Sequence, residues 1–203
     1  MPADDHAPGT AGETGTECFL SRTPQVQPDP RKPQRRNIRL RHYDYSLAGA
    51  YFITVVTQDR QCLFGEVQDA EMRLNDAGRM VADQWQSLPR RFRDLELDAF
   101  VIMPNHLHGI LLVTRTFPVT EPTTTVAPTV GDIVGAFKSI TTVGYIHGVA
   151  RCGWPRFRTR LWQRNYYEHI IRNEESLHHI REYIVNNPAQ WATDPENPTN
   201  PSP

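Results

Sequence analysis

Apolar and polar positions along the middle of the chain fall into a few distinct periods. Residues 51–57, Tyr-Phe-Ile-Thr-Val-Val-Thr, are all aromatic or β-branched and predict a strand. Residues 62–68 and 71–74 predict a short hairpin turning at Asp69-Ala70. From Asn75 the spacing changes: Ala77, Val81, Trp85 and Leu88 form one stripe of a helix, with Asn75 as its N-cap. Residues 95–103 and 108–114 predict two further strands, interrupted or bent near Pro104. A second helix opens at Gly131 or Asp132, with Val134, Phe137 and Ile140 or Thr141 facing inward. A third is capped by Asn173, carries Leu177, Ile180 and Ile184 as its apolar stripe, and ends at Pro188.

Antiparallel strands with helices interposed predict an α+β fold: a ferredoxin-like (RRM-like) antiparallel sheet with helices packed on one face. A parallel α/β fold is the poorer match, because hairpins join the early strands. Three stretches lack periodicity. Residues 1–37 and 193–203 read as disordered tails around a domain over 38–192, and the Thr/Pro-rich segment 117–129 reads as a long mobile loop.

The net charge of −1 conceals a segregation of sign. Residues 1–30 hold five carboxylates and one arginine, whereas 31–41 hold six basic residues and no acid. A second basic block, 151–164, holds five arginines and no carboxylate. Such blocks are solvated faces or anion-binding surface. The three cysteines lie far apart without C-x-x-C spacing, which argues against a disulfide framework or a cysteine zinc site. No signal peptide and no apolar run long enough to span a bilayer is visible, so the expectation is no membrane partner and a reducing cytoplasm, nucleoid-associated when DNA is bound.

Chemistry enters with His106-Leu107-His108. Side chains alternate along a strand, so both imidazoles share a face and can chelate one divalent ion. An H-x-H alone is more often a pair of ordinary half-buried histidines. On the last helix, Tyr183 and Asn187 are four apart and share a face, one residue step off the apolar stripe. An amide oxygen is a hard ligand, and the phenol beside it reaches the same point. On spacing alone, a boundary tyrosine and a helix-terminal asparagine before Pro188 are the commoner reading.

The set M-P-N-H-L-H-G, L-W-Q-R-N-Y-Y-E-H-I-I-R-N and Y-I-V-N-N-P-A-Q-W, in this order over about residues 35–191, resembles the single-tyrosine HUH transposases. More narrowly it resembles their REP-associated (RAYT) branch. The resemblance implies His106 and His108 as metal ligands on a central strand, Tyr183 as nucleophile, Asn187 as third ligand, and Mg²⁺ or Mn²⁺ as the ion. It also implies a single-stranded DNA endonuclease and strand-transferase acting on hairpin or repeated palindromic DNA through a 5′-phosphotyrosine link. A phenol, with a pKa near ~10, is a far better leaving group than a sugar hydroxyl, so a DNA 3′-OH can reverse the step without ATP.

Tyr166 and Tyr167 compete with Tyr183 for the nucleophile's role, while Tyr51 and Tyr145 read as core or boundary residues. His169, His178 and His179 read as surface or supporting residues. Arg156, Arg158, Arg160, Arg164 and Trp162 interleave cations with a ring, as single-stranded nucleic acid binding requires. Core tryptophans with solvated arginines fit the same pattern. Lys138 is a candidate phosphate contact, and Arg35 and Arg36 belong to a basic arm that would add salt-dependent affinity. Three rivals stand beside the transposase reading: a domesticated hairpin-binding protein without cleavage, an RNA-binding module, and a zinc hydrolase. The RNA module lacks its aromatic strand signature and the hydrolase its general-base glutamate. Monomer and homodimer are both left open.

Overall fold

The structure, a computed structural model, describes residues 48–114 and 128–200. The tail 1–37 with Arg35 and Arg36, most of the 117–129 loop and residues 201–203 lie outside the described residues. The described chain runs β1 (Gly49–Val56), a 3₁₀ turn (Gln58–Arg60), β2 (Gly65–Gln68), β3 (Glu71–Leu74), α1 (Asp76–Gln86) and the short α2 (Leu88–Arg91). It continues through β4 (Leu95–Ile102), β5 (His106–Val113), α3 (Val130–Cys152), β6 (Tyr167–Ile171), α4 (Glu174–Asn186) and a second 3₁₀ turn (Pro188–Thr193). Among the described residues, no helix is long and apolar enough to cross a membrane.

The main sheet is antiparallel with order β4-β5-β1-β6. Setting aside the β2–β3 hairpin, the connectivity β1-α1-β4-β5-α3-β6 is the ferredoxin-like arrangement that the pattern predicts. Asn75 caps α1 by accepting from Gly78 N at 2.9 Å, and Asn173 caps α4 by accepting from Ser176 N at 2.8 Å. The β2–β3 turn uses left-handed Asp69 and Ala70, at φ 52° and 63°, as a two-residue hairpin loop requires. α3 starts earlier than expected, because Thr129 and Asp132 form a capping box.

Strand alternation divides the core in two. Tyr51, Ile53 and Val55 of β1 and Leu107 and Leu111 of β5 face α1 and α3 in one cluster with Val81, Trp85 and Phe137. Phe52, Ile110 and Ile171 face the other way and pack with Ile184 of α4. The two crossover helices α1 and α3 share one face, as the ferredoxin-like arrangement expects, and α4 adds a cover to the opposite one. His106 and His108 have the parity of Ile110, so they look toward α4.

Gly109, between His108 and Ile110, is fixed by close packing. A Cβ there would lie 2.4 Å from Trp85 Cζ2, so the buried indole of α1 rests directly on the β5 backbone. Gly109→Ala should lower stability by about 1–3 kcal/mol through overpacking. The expected readout is a lower urea midpoint at unchanged slope, and an unchanged midpoint would contradict this packing role.

Two further departures from the sequence pattern shape the surroundings of the histidines. β6 is absent from that pattern: Tyr-Glu-His-Ile-Ile alternates exposed and half-buried positions and carries little apolar signal, and pairing along the free edge of β1 makes it a strand. Residues 193–200, expected in a disordered tail, are corrected to a hydrogen-bonded segment. Asp194 and Asn197 are buried, and Asn197 Nδ2 donates to Trp191 O at 2.9 Å.

Candidate metal centre

β5 carries His106 and His108 side by side, both buried. Their Nε2 atoms are 3.0 Å apart. The tight turn before them is held by Met103 N donating to His106 O, while Leu63 N and Phe64 N donate to Pro104 O. Within it, Asn105 Nδ2 donates to Arg60 O at 3.1 Å and Glu196 O at 2.6 Å. Those two carbonyls fix the amide's orientation, so Asn105 Oδ1, 2.8 Å from His106 Nδ1, accepts and Nδ1 carries the proton. His106 Nε2 therefore offers a lone pair.

His108 Nδ1 lies 2.8 Å from Thr54 Oγ1, which can donate or accept. Two proton arrangements satisfy the pair. Either His108 Nε2–H donates to His106 Nε2, or His108 holds its proton toward Thr54 and the two Nε2 lone pairs face each other. A cation between them stabilises the second arrangement. Burial pushes the pKa of each imidazole down to about 3, so both are neutral at physiological pH. The Asn187 amide opposes the shift at His106. At His108 the neighbouring His106 adds to it, and Asp194 opposes it.

α4 and the segment after it close the site. Among the described residues, His106, His108 and Asp194 are the group whose ligand atoms all lie within 4.8 Å of one another. Asp194 is absent from the sequence candidates, since it sits past the apparent end of the domain. Asn187, the sequence candidate, ends α4 and is buried. Its Nδ2 donates to Asp194 Oδ2 at 3.2 Å, and its Oδ1 is buried without a hydrogen-bond partner. An orphaned buried carbonyl is costly unless something binds it. Two imidazole lone pairs, a carboxylate and an orphaned amide oxygen together fit a divalent cation.

Tyr183 sits on the same helix face, 38% exposed, with its hydroxyl 3.3 Å from His108 Nε2. Burial raises its pKa, and the Asp194 and Glu196 carboxylates add to that while contact with Asn187 opposes it. The phenol is therefore protonated at neutral pH. α4 is held in place by Arg181, which donates to both Asp98 carboxylate oxygens at 2.9 and 2.6 Å. Asp98 lies where the β4–β5 register shifts between Leu97 and Phe100. A bulge there turns a strand residue toward the helix.

Other candidates are placed differently. Trp162 is buried between Phe64 and Phe137, and its Nε1 donates to Thr141 at 2.8 Å, so it is a core residue and not a surface for stacked bases. Lys138 is likewise corrected: its Nζ donates to the carbonyls of Gln163, Arg164 and Asn165, which occupies the ammonium within the protein. Arg156, Arg158 and Arg164 are exposed and Arg160 half-buried. His169, His178 and His179 are exposed, whereas Tyr51 and Tyr145 are fully buried.

No family model matches the chain. It is 41% identical over 174 residues to an uncharacterized protein of Haemophilus influenzae, covering 79% of this chain and 91% of that one. The chain belongs to the family of that protein. It is also similar to the solved structure of a REP-associated tyrosine transposase bound to a REP hairpin, with a TM-score of 0.46 and 21% identity over 75% of this chain and 74% of the other. In this chain the buried His106–His108 pair on β5 meets the Tyr183–Asn187 face of α4, and any activity assigned to the site must use that convergence.

Proposed function

We propose that the protein is a REP-associated tyrosine transposase: a metal-dependent endonuclease and strand-transferase acting on single-stranded or hairpin DNA. The observation that carries this reading is the Tyr183 hydroxyl, 3.3 Å from His108 Nε2 and beside the orphaned Asn187 oxygen. A phenol, two neutral imidazoles, a carboxylate and an amide converge on one point where a phosphate can be held.

His106, His108 and Asp194, with Asn187 Oδ1, would hold Mg²⁺ or Mn²⁺. When bound, the ion supplies Lewis-acid stabilisation of charge on the non-bridging phosphate oxygens. The remaining work falls to the chain itself. Tyr183 Oη attacks phosphorus, the P–O3′ bond breaks, and a 5′-phosphotyrosine ester and a free 3′-OH result. The phenolic proton leaves to solvent as the bond forms, through the ring's exposed edge, and the departing O3′ takes up a proton from water in return. The ester retains the bond energy, so a 3′-OH can attack it and rejoin a strand. The Asp98–Arg181 pair keeps α4 in register, and Asn105 keeps the His106 lone pair aimed inward.

Labelled hairpin DNA incubated with the protein and Mn²⁺ should form an adduct that survives a denaturing gel and is lost in His106→Ala. Binding without any adduct, on a range of hairpins and in either metal, would instead favour a DNA-binding protein that does not cleave.

Asn105 offers a separate check on the metal centre. In Asn105→Ala the His106 tautomer loses its fixing partner and the Glu196 backbone loses its anchor. Supporting contacts of this kind are worth roughly 10- to 100-fold in metal affinity. Calorimetric titration with Mn²⁺ should show a loss of that order, and an unchanged affinity would remove Asn105 from the centre.

A further inference from the structure

We infer that the cleft between β6 and the first half of α4 is a base-binding subsite, taking an unstacked nucleobase that carries an exocyclic amino group, within one or two nucleotides of the bond cleaved at Tyr183. The inference rests on the proposed function and adds a specificity determinant to it. The cleft has a volume of about 450 Å³, within the range of small-ligand sites.

Its walls are suited to a flat ring. Phe52 forms the floor, nearly buried, and Tyr167 stands edge-on to it at 6.2 Å and 69°. Tyr167 is 47% exposed, so a face of its ring is open to a ligand. Ile180 closes the helix side. Base–aromatic stacking needs such a half-exposed ring, and flipped bases are read by hydrogen bonds at their edges.

The rim supplies those edges. His169, His179 and the Glu175 carboxylate line the opening. Although the cleft includes the N-terminus of α4, Glu174 and Glu175 in the first turn repel a phosphate there. A carboxylate only accepts: an exocyclic amino group offers it a donor, whereas the one N–H of an unpaired thymine, N3–H, lies between two carbonyl oxygens that the carboxylate repels, so adenine, cytosine or guanine is favoured over thymine.

Position ties the cleft to the reaction. The Phe52 ring that floors it also stacks on His108 at 5.4 Å and meets Tyr183 edge-on at 6.0 Å. Ser176, Ile180, Tyr183 and Asn187 follow one another along one face of α4. At a rise of ~1.5 Å per residue, Ile180 lies ~5 Å along the axis from Tyr183. Stacked nucleotides repeat every ~3.4 Å and unstacked ones farther apart, so that distance is one or two nucleotides.

The test is a pool of hairpin DNA with randomised single-stranded flanks, incubated with full-length protein and Mn²⁺. Strands recovered in the covalent adduct, and separately those retained by non-covalent binding, are sequenced. At one flank position the wild-type protein should disfavour thymine. Tyr167→Ala should flatten that position and weaken binding roughly 5- to 150-fold, the range expected for one lost stack. Glu175→Gln should readmit thymine at that position alone. Should no adduct form, the transposase reading fails, and the bound pool still decides the subsite. A flank profile that is the same in wild type, Tyr167→Ala and Glu175→Gln overturns the inference, and retention of the remaining positions in each variant shows that it is folded.

Discussion

Tyr183→Phe is expected to abolish the covalent protein–DNA adduct, by at least roughly 10³-fold, while leaving the fold intact. The substitution removes one oxygen from a ring that is 38% exposed and whose hydroxyl makes a 3.3 Å contact to His108 Nε2. Ring packing against Phe52 at 6.0 Å survives, so α4 has no reason to move. Among the described residues, no other tyrosine is placed to substitute. Tyr51 and Tyr145 are fully buried on the far side of the sheet, Tyr166 packs against that same cluster, and Tyr167 meets the Phe52 ring at 6.2 Å, the ring that stacks on His108 at 5.4 Å. An adduct that persists in Tyr183→Phe and disappears in Tyr167→Phe would transfer the nucleophile's role to Tyr167. Thermal unfolding of both variants close to wild type would show that neither loss comes from misfolding.

A steep loss of stability on acidification, in the presence of a chelator, is the second large effect expected. Both imidazoles have folded-state pKa values near 3, well below the ordinary value of 6.5, because burial penalises their charged forms. The unfolded chain therefore binds more protons between pH ~6.5 and ~3, and stability is full above that window and falls as pH drops through it. Each group contributes a slope of up to about 1.4 kcal/mol per pH unit. The polar groups facing the pair are Thr54 from β1, Asn105 from the turn before β5, Tyr183 and Asn187 from α4, and Asp194 from the segment after it. Of these, Asp194 raises the His108 pKa, but its pull is smaller than the effect of burial. Urea midpoints from pH 7 to 5 should fall more steeply in wild type than in the double variant His106→Gln, His108→Gln. Equal slopes would mean that the histidines are already solvated. Mn²⁺ should raise the midpoint at pH 7 and lose its effect as the ligands protonate.

The legible part of the site is the part made by local interactions. The strand parity of His106 and His108 and the helical spacing of Tyr183 and Asn187 are properties of one element each; that the two faces meet depends on the packing of α4 against the sheet. Asn105 stands in plain view in the Pro104-Asn105-His106 run, but its role comes from accepting His106 Nδ1 while donating to carbonyls 45 and 91 residues away. Asp194 lies among Pro, Asn and Thr residues that carry no periodic signal, and only the Asn187 and Glu196 contacts of its segment bring it inward. Trp162 and Lys138 have the composition of a nucleic-acid surface. Their partners, Thr141 and three backbone carbonyls, turn both toward the protein.

Most of the strands and the helices, the caps at Asn75 and Asn173, the antiparallel α+β class, and the residues that share a face with each histidine and with Tyr183 are written in the local pattern of the chain. These come from backbone periods of two and 3.6 residues and from side chains that bond to their own helix ends. Long-range packing sets the rest: that β6 completes the sheet, that α4 crosses to the face opposite α1 and α3, and that the chain after Pro188 folds back over the site. Those outcomes depend on burial and pairing between segments tens of residues apart, where an edge strand, a bulge at Asp98 or a buried carboxylate is favourable only once its partner is in place.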